Sequence, residues 1–271
     1  MLARGRLFAV VFIEGFCSLG SEVIALRQIV PHLGSAIVVT APTIGFFLLA
    51  LALGYHAGGR VADDYHRVVA KNFLIAALLI GVGLSGVFID HLFAALPPAG
   101  LAYLLLIGAV LCPVAWLLGQ TVPILSNLLQ HQRVGEASGR ALYYSTLGSF
   151  LGSLSLSLLI MQWLGVSAAV ASCALLLLVG YLLLCTPQAR TLFAALGVGV
   201  ASVVANAWLR PEIETAYASY LVVPVEFADA LNGRALKNNS SFASLIDEAD
   251  PPHYARYIRH IRAMLLDDFA F

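Results

Sequence analysis

Three residues near the start of the chain carry charge and hydroxyl chemistry in an apolar setting. Glu14, Ser18 and Glu22 follow one another at intervals of four within the otherwise hydrophobic stretch Leu7–Leu26. On an α-helix that interval places them along one face. A carboxylate in hydrocarbon is costly unless protonated or paired, so such a face turns toward a bundle interior or toward water. The chemistry open to it is the binding of a proton or a small cation. The alternative is an internal polar pair that fixes helix packing, with Glu22 near the interface. Arg27, five residues beyond Glu22, is the candidate ion-pair partner.

The elements that hold these residues follow from composition. Of the 271 residues, 60% are apolar and 11% charged, with a mean hydropathy of +0.89. A soluble domain carries roughly a quarter charged residues, so the whole chain is not a solvated globular enzyme. Disorder is excluded as well, because it requires low hydrophobicity and high charge. The net charge is zero, which gives no reason to expect nucleic acid as a partner.

A spanning helix needs about 20 mostly apolar residues. Seven segments qualify: 7–26, 37–57, 73–96, 101–125, 142–164, 167–185 and 192–209. Each has helix length, which excludes a β-barrel. The separators are polar stretches at 58–71 and 130–140, the Pro97-Pro98 pair, and Thr186-Pro187. Arg4, Arg6, Arg60, Arg67, Lys71, Arg133, Arg140 and Arg190 fall on one side of this arrangement, and Arg27 alone on the other. The excess of positive charge marks the cytoplasmic side. The expectation is an inner-membrane, multi-pass protein in contact with the lipid bilayer, with a cytoplasmic N-terminus and an extracytoplasmic tail.

Two small-x-x-x-small patterns, Gly54/Gly58 and Gly148/Gly152, let helix backbones approach closely, within the chain or between copies. Ser145 and Ser155 extend the second into a smooth stripe. Pro42, Pro113 and Pro123 are expected to kink their spans. His56, Gln120, Asn127 and Gln162 fall near span ends and are expected at the water interface. Cys17, Cys112, Cys173 and Cys185 show no metal-ligand spacing and read as small apolar helix residues. No metal site is expected.

Composition changes at Leu209/Arg210. Residues 1–209 form a seven-helix transmembrane domain, and 210–271 a soluble-like tail. Thr215 through Glu226 reads as one or two strands, with Asn232-Gly233 as a hairpin turn and Arg234–Leu236 opening the return strand. Asp250 is a candidate N-cap before Pro251-Pro252. Tyr254, Tyr257, Ile258, Ile261, Leu265 and Phe269 then form one apolar helical stripe, a candidate docking surface for a protein partner. The fold class is therefore an all-α polytopic bundle with a small α+β tail, a β-hairpin plus an amphipathic helix.

Four pieces of the sequence resemble the N-terminal part of membrane-bound spermidine synthase-like proteins, relatives of the polyamine aminopropyltransferases. They are Glu14-Gly15-Phe16-Cys17-Ser18-Leu19-Gly20-Ser21-Glu22 with Leu26-Arg27; Leu51-Ala52-Leu53-Gly54 through Gly58-Gly59-Arg60-Val61-Ala62-Asp63; Gly139-Arg140-Ala141-Leu142-Tyr143-Tyr144-Ser145-Thr146-Leu147-Gly148-Ser149; and the tail from Glu214 to Leu266. The resemblance implies that the tail matches the hairpin-and-helix unit preceding a Rossmann-type domain. In that family this domain binds decarboxylated S-adenosylmethionine and carries the catalytic aspartate. Here Phe271 stands where its first glycine-rich strand would begin. The expectation is a separate Rossmann-type partner, no cofactor in this chain, and no aminopropyltransferase activity from it alone. Where the soluble enzymes have a Leu-Asp-Gly-x-x-Gln stretch this chain has Leu236–Ser244, and where they have Tyr-His-Glu it has Tyr257-Ile258-Arg259. No catalytic residue is carried over. Three functions compete: a membrane module docking that partner, a proton- or cation-coupled transporter built on Glu14 and Glu22, and a structural assembly subunit.

Overall fold

The computed structural model describes residues 4–128, 134–185, 188–206, 213–214, 218–226, 232–239, 241–249, 256–258, 260–261 and 263. The chain divides into two compact units, Met1–Leu209 and Arg210–Phe271. The first is an all-α, multi-pass membrane bundle. Its helices are α1 (Arg4–Leu33), α2 (Ile37–Gly59), α3 (Tyr65–Gly83), α4 (Gly86–Ala95), α5 (Ala99–Leu128), α6 (Gly135–Leu164), α7 (Val166–Leu184) and α8 (Ala189–Asn206). All but α4 are long and apolar enough to cross a membrane.

Two spans have limits other than expected. The first runs on to Leu33, so Arg27 lies within α1 rather than in a loop. The third begins at Tyr65, after Asp64 at φ 54°, and ends at Gly83 rather than at Leu96. Ser85 adopts an extended backbone, and its hydroxyl accepts a hydrogen bond from Phe88 N at 3.3 Å. That cap starts α4 as a new helix, so the apolar run 73–96 serves two elements. At the other end, Arg67 and Lys71 join the helix, where long basic side chains can reach headgroups from the first turns of a span.

Direction can be read from pairs of contacts. Gly15 of α1 abuts Ser145 of α6, and Gly20 meets Leu156, so α1 and α6 run parallel. Gly54 and Gly58 of α2 meet Trp116 and Gln120 of α5 in the same sense. By contrast, Cys17 meets Cys173 while Ile13 lies near Gly180, so α7 runs against α1. Odd-numbered spans therefore share one direction and even-numbered spans the other, as alternating crossings require.

The core is formed by α1, α3, α5 and α7, with Val10, Cys17, Ile24, Phe73, Ala76, Leu111, Leu118, Ala169 and Cys173 all buried. Helices α2, α6 and α8 present Leu48, Leu49, Phe150, Leu158, Phe193 and Leu196 outward. In α8 only Ala195 and Ser202 are buried. Helices α3, α5 and α6 each contain a π turn, at Leu79–Gly83, Ile107–Leu111 and Leu156–Ile160. The one in α5 directly precedes Pro113. Its ring cannot sit against the carbonyl four residues back in a regular helix, and a wider turn accommodates it.

The tail is an antiparallel sheet in the order β1 (Ile213–Glu214), β2 (Ser219–Glu226), β3 (Asn232–Asn238), β4 (Ser241–Asp247). Asn232-Gly233 is not the turn. Both residues open β3, where Gly233 pairs with Val225 on one side and Asp247 on the other. Two-sided pairing overrides the local turn preference. The tight reversal lies instead between Asn238 and Ser241, which pair directly, with Asn239 at φ 54°. A further strand, β4, thus extends the expected hairpin. Among the described residues β1 pairs with Ser219 and Tyr220 of β2, and Pro224 further along pairs with Arg234 of β3. After the sheet, Arg256, Tyr257, Ile258, His260, Ile261 and Ala263 are helical, and Tyr257 Oη donates to Ala243 O at 2.8 Å, tying helix to β4. The expected cap at Asp250 with Pro251-Pro252 lies outside the described residues.

Gly165 alone joins α6 to α7, at φ 84° and ψ 172°. A side chain there costs about 1–3 kcal/mol. Gly165→Val should lower the melting midpoint in detergent by several degrees. Gly108→Ala, where a methyl group meets open space, should leave it unchanged.

Candidate functional site

The small residues of α1 and α6 bring the two backbones into contact. A methyl group on Gly15 would strike the Ser145 carbonyl, and one on Gly148 the Phe12 carbonyl; one on Gly152 would lie 2.5 Å from Phe16 O. Ser149 Oγ donates to Gly15 O at 3.1 Å across the same seam. Gly54 and Gly58 play the same part toward α5, each placing a carbonyl oxygen 2.5 Å from where a Cβ would sit. Both glycine patterns therefore serve packing inside the chain.

This seam holds Glu14. Its side chain is 1% exposed, and its Oε2 accepts a hydrogen bond from Ser145 Oγ at 2.8 Å. An open groove of about 360 Å³ lies between α2, α5 and α6, lined by Tyr55, Val122, Pro123, Ser126, Asn127, Ser138 and Leu142; Glu14 is not part of its lining. Ser138, Leu142 and Ser145 sit at i, i+4 and i+7 on α6, so one face of that helix leads from the groove to the carboxylate. Tyr55 lines the groove and is within electrostatic reach of Glu14. Arg140, the nearest basic residue on α6, is turned elsewhere, its guanidinium 4.8 Å above the Phe8 ring.

Glu22 and Arg27 are also buried. They form no ion pair with each other. Five helical positions separate them by roughly 140° around the axis, so the sequence neighbour points to another face. Glu22 makes no hydrogen bond or ion pair among the described residues. Ser18 lies between the two carboxylates, and its carbonyl accepts from Ser21 Oγ at 2.8 Å. The spacing does put Glu14, Ser18 and Glu22 on the buried side of α1.

A second polar cluster was not expected. Asn72 Nδ2 donates to Leu117 O and to Gln120 Oε1, both at 3.2 Å, and Gln120 Nε2 donates to Trp116 O at 3.2 Å. Gln120 is buried, not interfacial. The signal for Ser145 was present in the sequence as a hydroxyl within a glycine stripe. Tyr55 carried no such signal, because its role depends on three helices meeting. Among the described residues no group of three or more His, Cys, Asp or Glu could hold a metal ion.

In the tail, the direct pairing of Val222 with Leu236, and of Arg234 with Pro224 on one side and Ile246 on the other, puts these residues on one sheet face. Tyr220, Val222, Leu236 and Ile246 on that face are exposed. The opposite face carries the buried Gly233, Ala235 and Asp247. Tyr257 and Ile261 of the helical segment are exposed as well, whereas Ile258 is half-buried. Tyr254, Leu265 and Phe269 lie outside the described residues.

Comparison with known proteins finds no matching family model, no matching curated protein and no matching solved structure.

Ser145→Ala removes the hydroxyl donor to a buried carboxylate and should cost about 1–3 kcal/mol. A double-mutant cycle with Glu14→Leu, read by thermal unfolding in detergent, should return most of that cost as coupling. Gly148→Leu should eliminate monodisperse protein, while Gly139→Leu, in open space, should be tolerated.

Proposed function

We propose that this chain is the membrane module of a spermidine synthase-like system, and that its tail docks a Rossmann-type catalytic partner. The observation that carries the reading is the exposed apolar surface of the tail. A folded sheet-and-helix unit leaves Tyr220, Val222, Leu236, Ile246, Tyr257 and Ile261 uncovered. Apolar groups spaced across one sheet face bind by excluding water from a matching surface. The order of elements, an antiparallel sheet followed by a helix, also agrees with the unit that precedes the catalytic domain in that family. The substrate of the system would be decarboxylated S-adenosylmethionine, bound by the partner rather than by this chain.

The proposed sidedness is an inner-membrane protein with a cytoplasmic N-terminus. It rests on the excess of positive residues at the N-terminus and in the 60–71, 130–140 and 190 regions, on the cytoplasmic side. Seven alternating crossings then put the tail on the opposite side.

Two experiments test this. Single cysteines at 64 and 239, in a background with the four native cysteines replaced by alanine, should be labelled from opposite sides of the membrane, 64 from the cytoplasm. Labelling of both from one side removes the seven-span topology. Val222→Asp with Ile261→Asp should reduce co-purification of a Rossmann-type transferase at least tenfold without altering membrane insertion. Unchanged recovery of that partner rules out docking through this surface.

A further inference from the structure

Thr121 of α5 is fully buried, and its Oγ1 makes no hydrogen bond among the described residues. A threonine inside a helix can turn its hydroxyl back to the carbonyl three or four residues earlier. For Thr121 these carbonyls belong to Leu118 and Leu117, and Leu117 O already accepts from Asn72 Nδ2 of α3 at 3.2 Å. The regular winding of α5 is also interrupted at Gln120, between Cys112–Gly119 and Thr121–Leu128. A side chain or a water molecule set against the ladder of backbone bonds produces such a break.

The hydroxyl lies among polar groups. Leu117, Gln120 and Thr121 stand at i, i+3 and i+4, so they share one face of α5. Asn72 is bonded to that face, donating to Leu117 O and to Gln120 Oε1, each at 3.2 Å. The two bonds occupy its amide group and leave Oδ1 as an acceptor. Gln120 Oε1 keeps a second lone pair, and Thr121 offers one O–H. These groups select their ligand. A cation would bring charge to three neutral side chains, two of them buried amides whose N–H groups repel it. An anion would meet the oxygen atoms. An apolar ligand would leave the hydroxyl unpaired. A water molecule both donates and accepts and requires two to four polar partners, of which this face supplies three.

We propose that a water molecule is bound inside the membrane unit between α3 and α5, accepting from Thr121 Oγ1 and donating to Asn72 Oδ1 and Gln120 Oε1. Asn72 holds the stretch of α5 before the break directly, through Leu117, and the water holds the stretch after it, through Thr121. Both halves of the interrupted helix are thereby fixed to one neighbour. The site is independent of the docking surface on the tail.

The test is radiolytic hydroxyl labelling of the full chain in nanodiscs, read residue by residue by mass spectrometry. A bound water labels the side chains beside it even where they are buried. Leu117 should be labelled at least fivefold more than Leu111 and Leu125, which are buried on the same helix. Thr121→Val keeps the shape and removes the hydroxyl. It should lower the labelling of Leu117 at least threefold and lower the melting midpoint in detergent, and Thr121→Ser should restore the labelling. Labelling of Leu117 no greater than that of Leu111 in the unaltered chain overturns the proposal, whatever the variants do. So does a Thr121→Val protein that is labelled as before, or that melts at the same or a higher temperature, because removing a hydroxyl without a partner carries no penalty.

Discussion

Backbone contact between α1 and α6 is the constraint on which the membrane unit depends. In a bilayer, apolar side chains gain little by leaving lipid for one another, so helix association rests on close packing and on hydrogen bonds between helices. Gly15, Gly148 and Gly152 remove the side chains that would hold the two axes apart. The approach in turn brings Ser145 within hydrogen-bond distance of Glu14 and Ser149 within reach of the Gly15 carbonyl. Had the axes stood apart, the carboxylate would lie in an apolar gap without that donor.

The same logic repeats with different residues elsewhere. At α2 and α5, Gly54, Gly58 and Gly119 allow the approach, and Asn72 of α3 bonds Gln120 beside them. At α3 and α8, Asn206 Nδ2 donates to Gly81 O at 2.7 Å. Each contact pairs a small residue with a polar one. Large apolar residues lie on both sides, Phe73 and Leu118 inside and Phe150 and Phe193 outside, as a lipid-facing surface allows. Among the described residues this leaves the interior polar at a few points, Glu14 with Ser145 and Asn72 with Gln120 among them.

Much of the architecture was legible in the sequence because the bilayer imposes it. Length and hydropathy alone found all seven spans, and the interval of Glu14, Ser18 and Glu22 correctly marked the buried side of α1. Errors arose where a local rule met a tertiary one. The run 73–96 is apolar throughout, so hydropathy could not see that Ser85 caps a new helix within it. Asn232-Gly233 has turn chemistry, yet pairing on both sides holds it in β3. Arg27 looked like a partner for Glu22 along the chain and stands on another face of the helix. Tyr55, Ser126 and Ser138 could not be found at all, since only the meeting of three helices makes them neighbours.

Helix α7 has a consequence for the lipid around the protein. It has 19 residues, about 28 Å of rise, and both of its ends are fixed, by Gly165 at φ 84° and by the extended backbone at Cys185. A longer helix such as α1 meets a thinner bilayer by tilting, but a short one cannot lengthen to meet a thicker one. In a thicker bilayer the lipid beside α7 must thin, or the ends of the helix must pull inward.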